Sequence, residues 1–163
     1  MLSKTIQDAL NEQIKNEIQS AYLYLAMAQH CESQNLSGSA KWLTMQWQEE
    51  LEHSQKLIGY MNDREGRVVL GAIEKPQTEW SSPLALFKDV LAHEQKVTAL
   101  INSLYTLAIK ENDYATQIEL QWFIKEQIEE EKNATMVIDQ LTMLGETGTP
   151  LFMLDRQLGM RAK

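Results

Sequence analysis

The sequence predicts an all-α fold: a four-helix bundle with a long crossover between its second and third helices and a short fifth helix near the C-terminal end. Three observations predict it. Four long segments carry apolar residues at alternating steps of three and four. The 163 residues include only 7 Gly and 3 Pro, too few turn formers for many short strands. Two of the three connections between the long segments are very short, and the middle one is long.

The first helix is predicted from about Ser3 to Gln34, with Ser3 as its N-cap. The second runs from about Ser37 to Asn62–Arg64 and stops near Gly66. The third opens at Ser82-Pro83, where Ser caps and Pro takes the first helical position, and ends near Glu111-Asn112-Asp113. The fourth runs from about Asp113 to Leu144 and stops at Gly145. A short amphipathic piece follows Thr149-Pro150, with Leu151, Phe152, Leu154 and Leu158. The short connections make helices one and two, and three and four, antiparallel pairs. The segment Glu65–Ser82, which contains Val68-Val69-Leu70, has a different reach. Extended, it spans up to roughly 60 Å, against about 39 Å for a 26-residue helix. It can traverse the whole bundle and leave helices two and three parallel.

Charge and cysteine content narrow the function. A formal net charge of -8 argues against a nucleic-acid binder and is compatible with a protein that handles cations. Cys31 is the only cysteine, so neither an internal disulfide nor a Cys-rich zinc site is possible, and its thiol reads as structural. No signal-peptide pattern and no run of about 18 apolar residues is present, so the expected location is the reducing cytoplasm, with no membrane partner.

Each predicted helix then breaks its own apolar stripe near the middle. The stripes read Leu10, Ile14, Glu17, Ala21, Tyr24, Ala28; Leu43, Trp47, Glu50, His53 or Ser54, Leu57; Phe87, Val90, Glu94, Val97, Ile101, Leu104; and Leu120, Phe123, Gln127, Glu130, Ala134, Val137, Leu141. Antiparallel packing sets these interruptions side by side in one mid-bundle layer. Glu17 and Glu50 stand 33 residues apart, as do Glu94 and Gln127, and each pair is followed three residues later by His53 or Glu130. The two helix pairs thus look like copies of one unit, related by an approximate twofold axis. Buried carboxylates in one layer cannot all stay ionised uncompensated, and no Lys or Arg sits on these stripes. Bound cations are the natural compensation. An oxygen-rich set with one imidazole suits iron or manganese better than structural zinc or copper.

Glu17…Tyr24, Trp47-Gln48-Glu49-Glu50-Leu51-Glu52-His53, Glu94 and Trp122…Glu126-Gln127…Glu129-Glu130 together resemble the ferroxidase centre of bacterial non-haem ferritins, over essentially the whole chain. The resemblance implies a single ferritin-like domain over 1–163, with the bundle at about 3–144 and the short helix at about 150–160. It implies that Glu17, Glu50 and His53 hold one iron, and that Glu50, Glu94 and Glu130 hold a second, with Glu50 bridging. Gln127 would hydrogen-bond to a metal-bound oxygen species, and Tyr24 would hydrogen-bond near the site and donate electrons. A third iron site would be formed by Glu49, Glu126, Glu129 and Glu130. The implied activity is oxidation of Fe(II) by O2 or hydrogen peroxide, with ferric mineral stored inside a homo-oligomeric shell of 24 subunits, around whose fourfold axes the fifth helix would pack.

Neighbouring families differ at identifiable residues. A bacterioferritin carries Glu-x-x-His in both halves, where this chain has Gln127-x-x-Glu130, and ligates haem through a Met where Leu51 stands. A rubrerythrin needs a Cys-rich domain. Mini-ferritins build their site between subunits. Trp47 and Met61 read as core, while His30 and His93, lacking partners at ligand spacing, read as surface residues. Because Leu51 offers no thioether, the purified protein is expected to carry no haem. A stoichiometric haem absorption band surviving gel filtration would overturn this expectation.

Overall fold

The computed structural model describes residues 2–161, which form α1 (Lys4–Ser33), α2 (Ser37–Asp63), α3 (Pro83–Lys110), α4 (Tyr114–Leu144) and α5 (Gly148–Leu158), with no strand among them. The starts follow from local chemistry. Ser3 Oγ accepts from the Ile6 N–H at 3.2 Å, Ser82 Oγ from the Ala85 N–H at 3.1 Å, and Asp113 Oδ1 from the Thr116 N–H at 3.0 Å. Each satisfies one backbone donor that the first helical turn leaves unpaired. α5 starts two residues before Pro150, which places the proline in the first turn, where its missing N–H costs no helical bond.

Three helices stop in the same way. Leu36 N–H bonds back to Cys31 C=O at 2.9 Å, Gly66 N–H to Met61 C=O at 2.8 Å, and Asp113 N–H to Ala108 C=O at 2.9 Å. In each turn the preceding residue is left-handed: Asn35 at φ 59°, Glu65 at φ 55° and Asn112 at φ 54°. This six-to-one closure satisfies terminal carbonyls and reverses the chain within three residues. It makes α1–α2 and α3–α4 tight antiparallel hairpins.

The connection between the hairpins runs along α1 and is held by its amide side chains. Gln7 Oε1 accepts from Arg67 N–H, and Asn11 Oδ1 from Val69 N–H, both at 2.8 Å, while Gln19 Nε2 donates to Glu74 C=O at 3.0 Å. Farther along, His30 meets Trp80 edge-on, with ring centroids 5.2 Å apart. The segment therefore passes from the start of α1 to its end, and α3 begins at the opposite end of the bundle from the one where α2 stopped. That path makes α2 and α3 parallel.

The buried apolar residues form two clusters. One contains Tyr24, Met27, Ala28, Leu43, Phe87, Val90, Ala134 and Val137 and extends to Leu154 and Leu158 of α5. The other contains Leu10, Ile14, Leu57, Met61, Val97, Ile101, Leu120 and Phe123. Two expectations need correction. On α2 the stripe passes through Gln46, which is fully buried, while Trp47 is only half-buried beside it, because the step of three from Leu43 faces the core more squarely than the step of four. His30 and His93 are not surface residues. His93 tucks against Tyr24, its ring bonded to Ser20 Oγ at 2.7 Å, and His30 against Trp80.

α5 docks by capping α2. The N-cap of α2, Leu36, has no side-chain acceptor to offer. Asp155 supplies it from 117 residues away, accepting from Gly38 N–H at 2.9 Å and from Ser39 N–H at 2.8 Å, with the Ser39 hydroxyl donating at 2.7 Å. Gly38 permits the approach, since a Cβ there would lie 1.6 Å from the Asp155 carbonyl oxygen. Asp155→Ala should therefore destabilise the protein by about 2–4 kcal/mol, leaving buried donors unpaired. Gly38→Ala should displace α5 without unfolding the four long helices. Calorimetric melting and limited proteolysis near Gly148 test both. A Gly38→Ala protein with wild-type melting and protection would show that this contact does not hold α5.

Candidate metal centre

On every long helix, the residues of one apolar cluster and those of the other are separated by a polar stretch. Glu17 fills it on α1, Glu50 and His53 on α2, Glu94 on α3, and Gln127 and Glu130 on α4. None of the six is more than 4 % exposed. Their convergence follows from hairpin geometry: each turn fixes the register of its pair, and the polar positions sit at matching heights on either side. The layer is closed above and below by apolar side chains, so water can screen its charges only weakly.

The carboxylates are held unequally. Gln13 Nε2 donates to Glu17 Oε1 at 2.7 Å, and Gln46 Nε2 to Glu130 Oε2 at 2.7 Å. Glu94 receives the Tyr24 hydroxyl on Oε1 and Gln127 Nε2 on Oε2 at 3.0 Å. Glu50 receives nothing: both of its oxygens are buried without a hydrogen-bond partner. His53 Nδ1 lies 3.6 Å from Glu50 and 3.9 Å from Glu17, close enough for attraction but too far for a hydrogen bond. A fully buried carboxylate normally finds two or three donors. Glu50 instead faces other carboxylates, with which it can share only a proton or a cation.

The electrostatics follow. Burial, then the charges of Glu17 and Glu94, raise the Glu50 carboxyl well above its ordinary range. Burial pushes Glu94 up to about 7, against the opposing hydrogen bonds from Tyr24 and Gln127. Burial, with the charge of Glu94, pushes Glu130 up to about 8. Burial and the nearby carboxylates also raise Tyr24, which remains a neutral phenol and a donor.

Two groups of side chains have geometry suited to a cation. Ligand atoms of Glu17, Glu50 and His53 lie within 4.8 Å of one another, as do those of His53, Glu126 and Glu130. His53 belongs to both and is fixed by edge-on contacts with Trp122 at 5.3 Å and Phe123 at 6.0 Å. Of the outer residues named from the sequence, Glu126 joins this second group, Glu129 stands on the exposed face, and Glu49 is paired with Arg161 at 2.9 Å. An open recess of about 490 Å³, lined by Glu49, Glu52, His53, Lys56, Trp122 and Glu126, leads to the His53 side of the layer. Sequence reasoning missed Gln13, Gln46 and Arg161. The first two carried a signal, since each stands four residues before a layer glutamate, Glu17 or Glu50, and so repeats the same spacing in both hairpin helices. Arg161 carried none.

Comparison with known proteins places this arrangement in context. The profile of the family described as ferritin-like domain matches residues 7–144. The chain is 38% identical over 161 residues to the bacterial non-heme ferritin of Staphylococcus aureus strain USA300, covering 99% of this chain and 97% of that one. It is 41% identical over 162 residues to the bacterial non-heme ferritin of Staphylococcus saprophyticus, with the same coverage. Among solved structures, an open pore ferritin from the archaeon Archaeoglobus fulgidus superimposes with a TM-score of 0.98 at 44% identity, over 99% of this chain and 100% of that one.

The raised carboxyl pKa values dictate a pH dependence. In this range the folded chain binds more protons than the unfolded chain, whose carboxyls titrate near 4.5. The stabilisation from the neutral carboxyls is therefore complete below about 4.5 and is lost as pH rises through about 7 to 8. Metal-stripped protein should melt at a lower temperature at about pH 8.5 than at about pH 6, and a saturating divalent cation should stabilise it most at the higher pH. Melting curves at both pH values, with and without Co(II), check this. A Co(II) effect that does not grow with pH would mean that protons and cations do not compete for these carboxylates.

Proposed function

The chain belongs to the ferritin family, and from that premise we propose that it is an iron-storage protein that oxidises Fe(II) at the polar layer, using O2 or hydrogen peroxide. The single observation that carries the reading is the orphaned Glu50 carboxylate, buried among Glu17, Glu94 and Glu130 with no donor to neutralise it. A pair of divalent cations supplies the missing charge.

In this reading Fe(II) is the substrate. Glu17, Glu50 and His53 hold one ion, and Glu50, Glu94 and Glu130 hold the other, with Glu50 between them. Gln13 orients Glu17 and Gln46 orients Glu130, each donating to one carboxylate oxygen and leaving the other to an ion. Tyr24 and Gln127 orient Glu94 through both of its oxygens, whose remaining lone pairs face the ion. Binding expels the protons that burial retains on Glu50, Glu94 and Glu130. Two Fe(II) then lose one electron each. O2 takes up two electrons and two protons to give hydrogen peroxide, or hydrogen peroxide takes up the same to give two waters. Two adjacent donors allow a two-electron reduction without a free one-electron radical. The carboxylates favour the product because Fe(III) gains more Coulomb energy from them than Fe(II) does. The apolar clusters on either side exclude water. Two oxidisable side chains touch the layer: Tyr24 is bonded to Glu94, and Trp122 lies against His53.

Storage requires a shell, and the reading includes a homo-oligomer, with 24 copies as in the resemblance. Exposed apolar side chains at Val69, Leu70, Ile73, Phe152 and Met153 lie on the crossover segment and on α5, the two elements outside the bundle core. The outer group of Glu126, Glu130 and His53 would take a third ion, with Glu49 and Glu129 at its margin. No described helix is long and apolar enough to cross a membrane, which fits the proposed cytoplasmic location.

Glu50→Ala tests the centre. It removes the shared ligand and relieves like-charge repulsion. Apo melting should stay level or rise, while oxidation of two Fe(II) per subunit slows at least about tenfold. Wild-type oxidation by this variant would sink the bridging role, and an unfolded variant would make Glu50 structural. Anaerobic Fe(II) titration followed by oxygen separates the alternatives: a structural bundle binds nothing, and an iron buffer binds without rapid oxidation.

A further inference from the structure

We infer that Arg161 is a positioning residue of the metal centre: its guanidinium holds Glu49 off the His53–Glu126–Glu130 group and, through Gln46, fixes the oxygen that Glu130 turns to a cation. The inference rests on the reading of the polar layer as the iron site. It deepens that reading by assigning a role to a residue outside the four long helices.

The placement of Arg161 is built into the fold. The chain beyond α5 is anchored by Asp155 on the start of α2 and by Lys41 Nζ, which donates to the Gly159 carbonyl at 2.8 Å. From there the Arg161 side chain lies along one stripe of α2. Its guanidinium carbon sits 4.8 Å from the centre of the Trp42 ring, it donates to Gln46 Oε1, and it donates to Glu49 at 2.9 and 3.2 Å. A planar fork stacked on an indole can satisfy an amide and a carboxylate together, as a single ammonium cannot.

Two consequences follow. Gln46 is fully buried, and its amide could in principle sit either way round. Because its oxygen accepts from Arg161, its NH2 must face Glu130, and it binds Oε2 at 2.7 Å. The other oxygen of Glu130 is then the one left to a cation. Glu49, meanwhile, is neutralised by an internal positive charge. A cation in the outer group must compete with Arg161 for that carboxylate, so the guanidinium weakens a third site while it orients Glu130 for the first two.

The test is anaerobic titration of the assembled metal-free protein with Co(II), a probe that does not oxidise under these conditions, followed by calorimetry and visible absorption. Wild type should bind two Co(II) tightly and a third more weakly. Arg161→Gln should tighten the third step about three- to tenfold, the range that a partly buried ion pair can account for. It should also change the absorption envelope of the first two ions, because Glu130 loses its oriented amide, a signature that mere loosening of the tail would not produce. Adding Glu49→Gln to Arg161→Gln should cancel the gain in the third step. If Arg161→Gln fails to assemble, Arg161→Lys serves instead, with a smaller gain expected because the charge remains but the fork is lost. An unchanged third step and an unchanged spectrum in the Arg161 variant would overturn the inference. Fewer than two tight ions in wild type would instead overturn the iron-site reading beneath it.

Discussion

The burial of four carboxylates at one height in the bundle is the constraint on which the rest depends. An ionised carboxylate is costly to bury alone, and four together compound the cost through mutual repulsion. The fold meets the demand in part. Amides from Gln13, Gln46 and Gln127 and the Tyr24 hydroxyl give hydrogen bonds to three of the four. Glu50 is left without any donor. The two apolar clusters then set the strength of everything inside, because they keep the dielectric low from both directions. The same packing that makes the layer unfavourable for bare charge makes it favourable for paired cations.

Much of this was legible in the sequence, and the reasons are local. Stripe periodicity gave the layer because Glu17, Glu94, Gln127 and Glu130 interrupt otherwise apolar runs at positions that can only face inward. Ser3, Ser82-Pro83 and Asp113 marked helix starts because capping is a short-range bond. The length of Glu65–Ser82 gave the parallel relation of α2 and α3. Periodicity failed on α2, where Trp47 and Gln46 compete for one inward position and size favoured the wrong one. It failed for His93 as well, since a ring beside a tyrosine from another helix leaves no mark on its own helix. Asp155 and Arg161 were beyond reach for the same reason. Their partners lie more than a hundred residues away, joined only through the docking of α5.

α5 therefore has a larger role than its length suggests. It completes the cap of α2, extends one apolar cluster through Leu154 and Leu158, and carries the chain to the edge of the polar layer. Gly38 is the small residue that makes the contact possible. The family likeness covers the bundle and this element together, since the similar chains align over 99% of this sequence.

The paired turns at Asn35 and Asn112 have a consequence for how the molecule assembles. Each hairpin closes through contacts near in sequence, whereas the polar layer joins α1 and α2 to α3 and α4 across the long crossover. Local contacts form early in folding and distant ones late. Until the hairpins dock, Glu50, Glu94 and Glu130 still face water and behave as ordinary acids. The proton uptake that their burial demands therefore belongs to the docking step, and acidity of the medium governs the rate at which the halves join more than the rate at which either half forms.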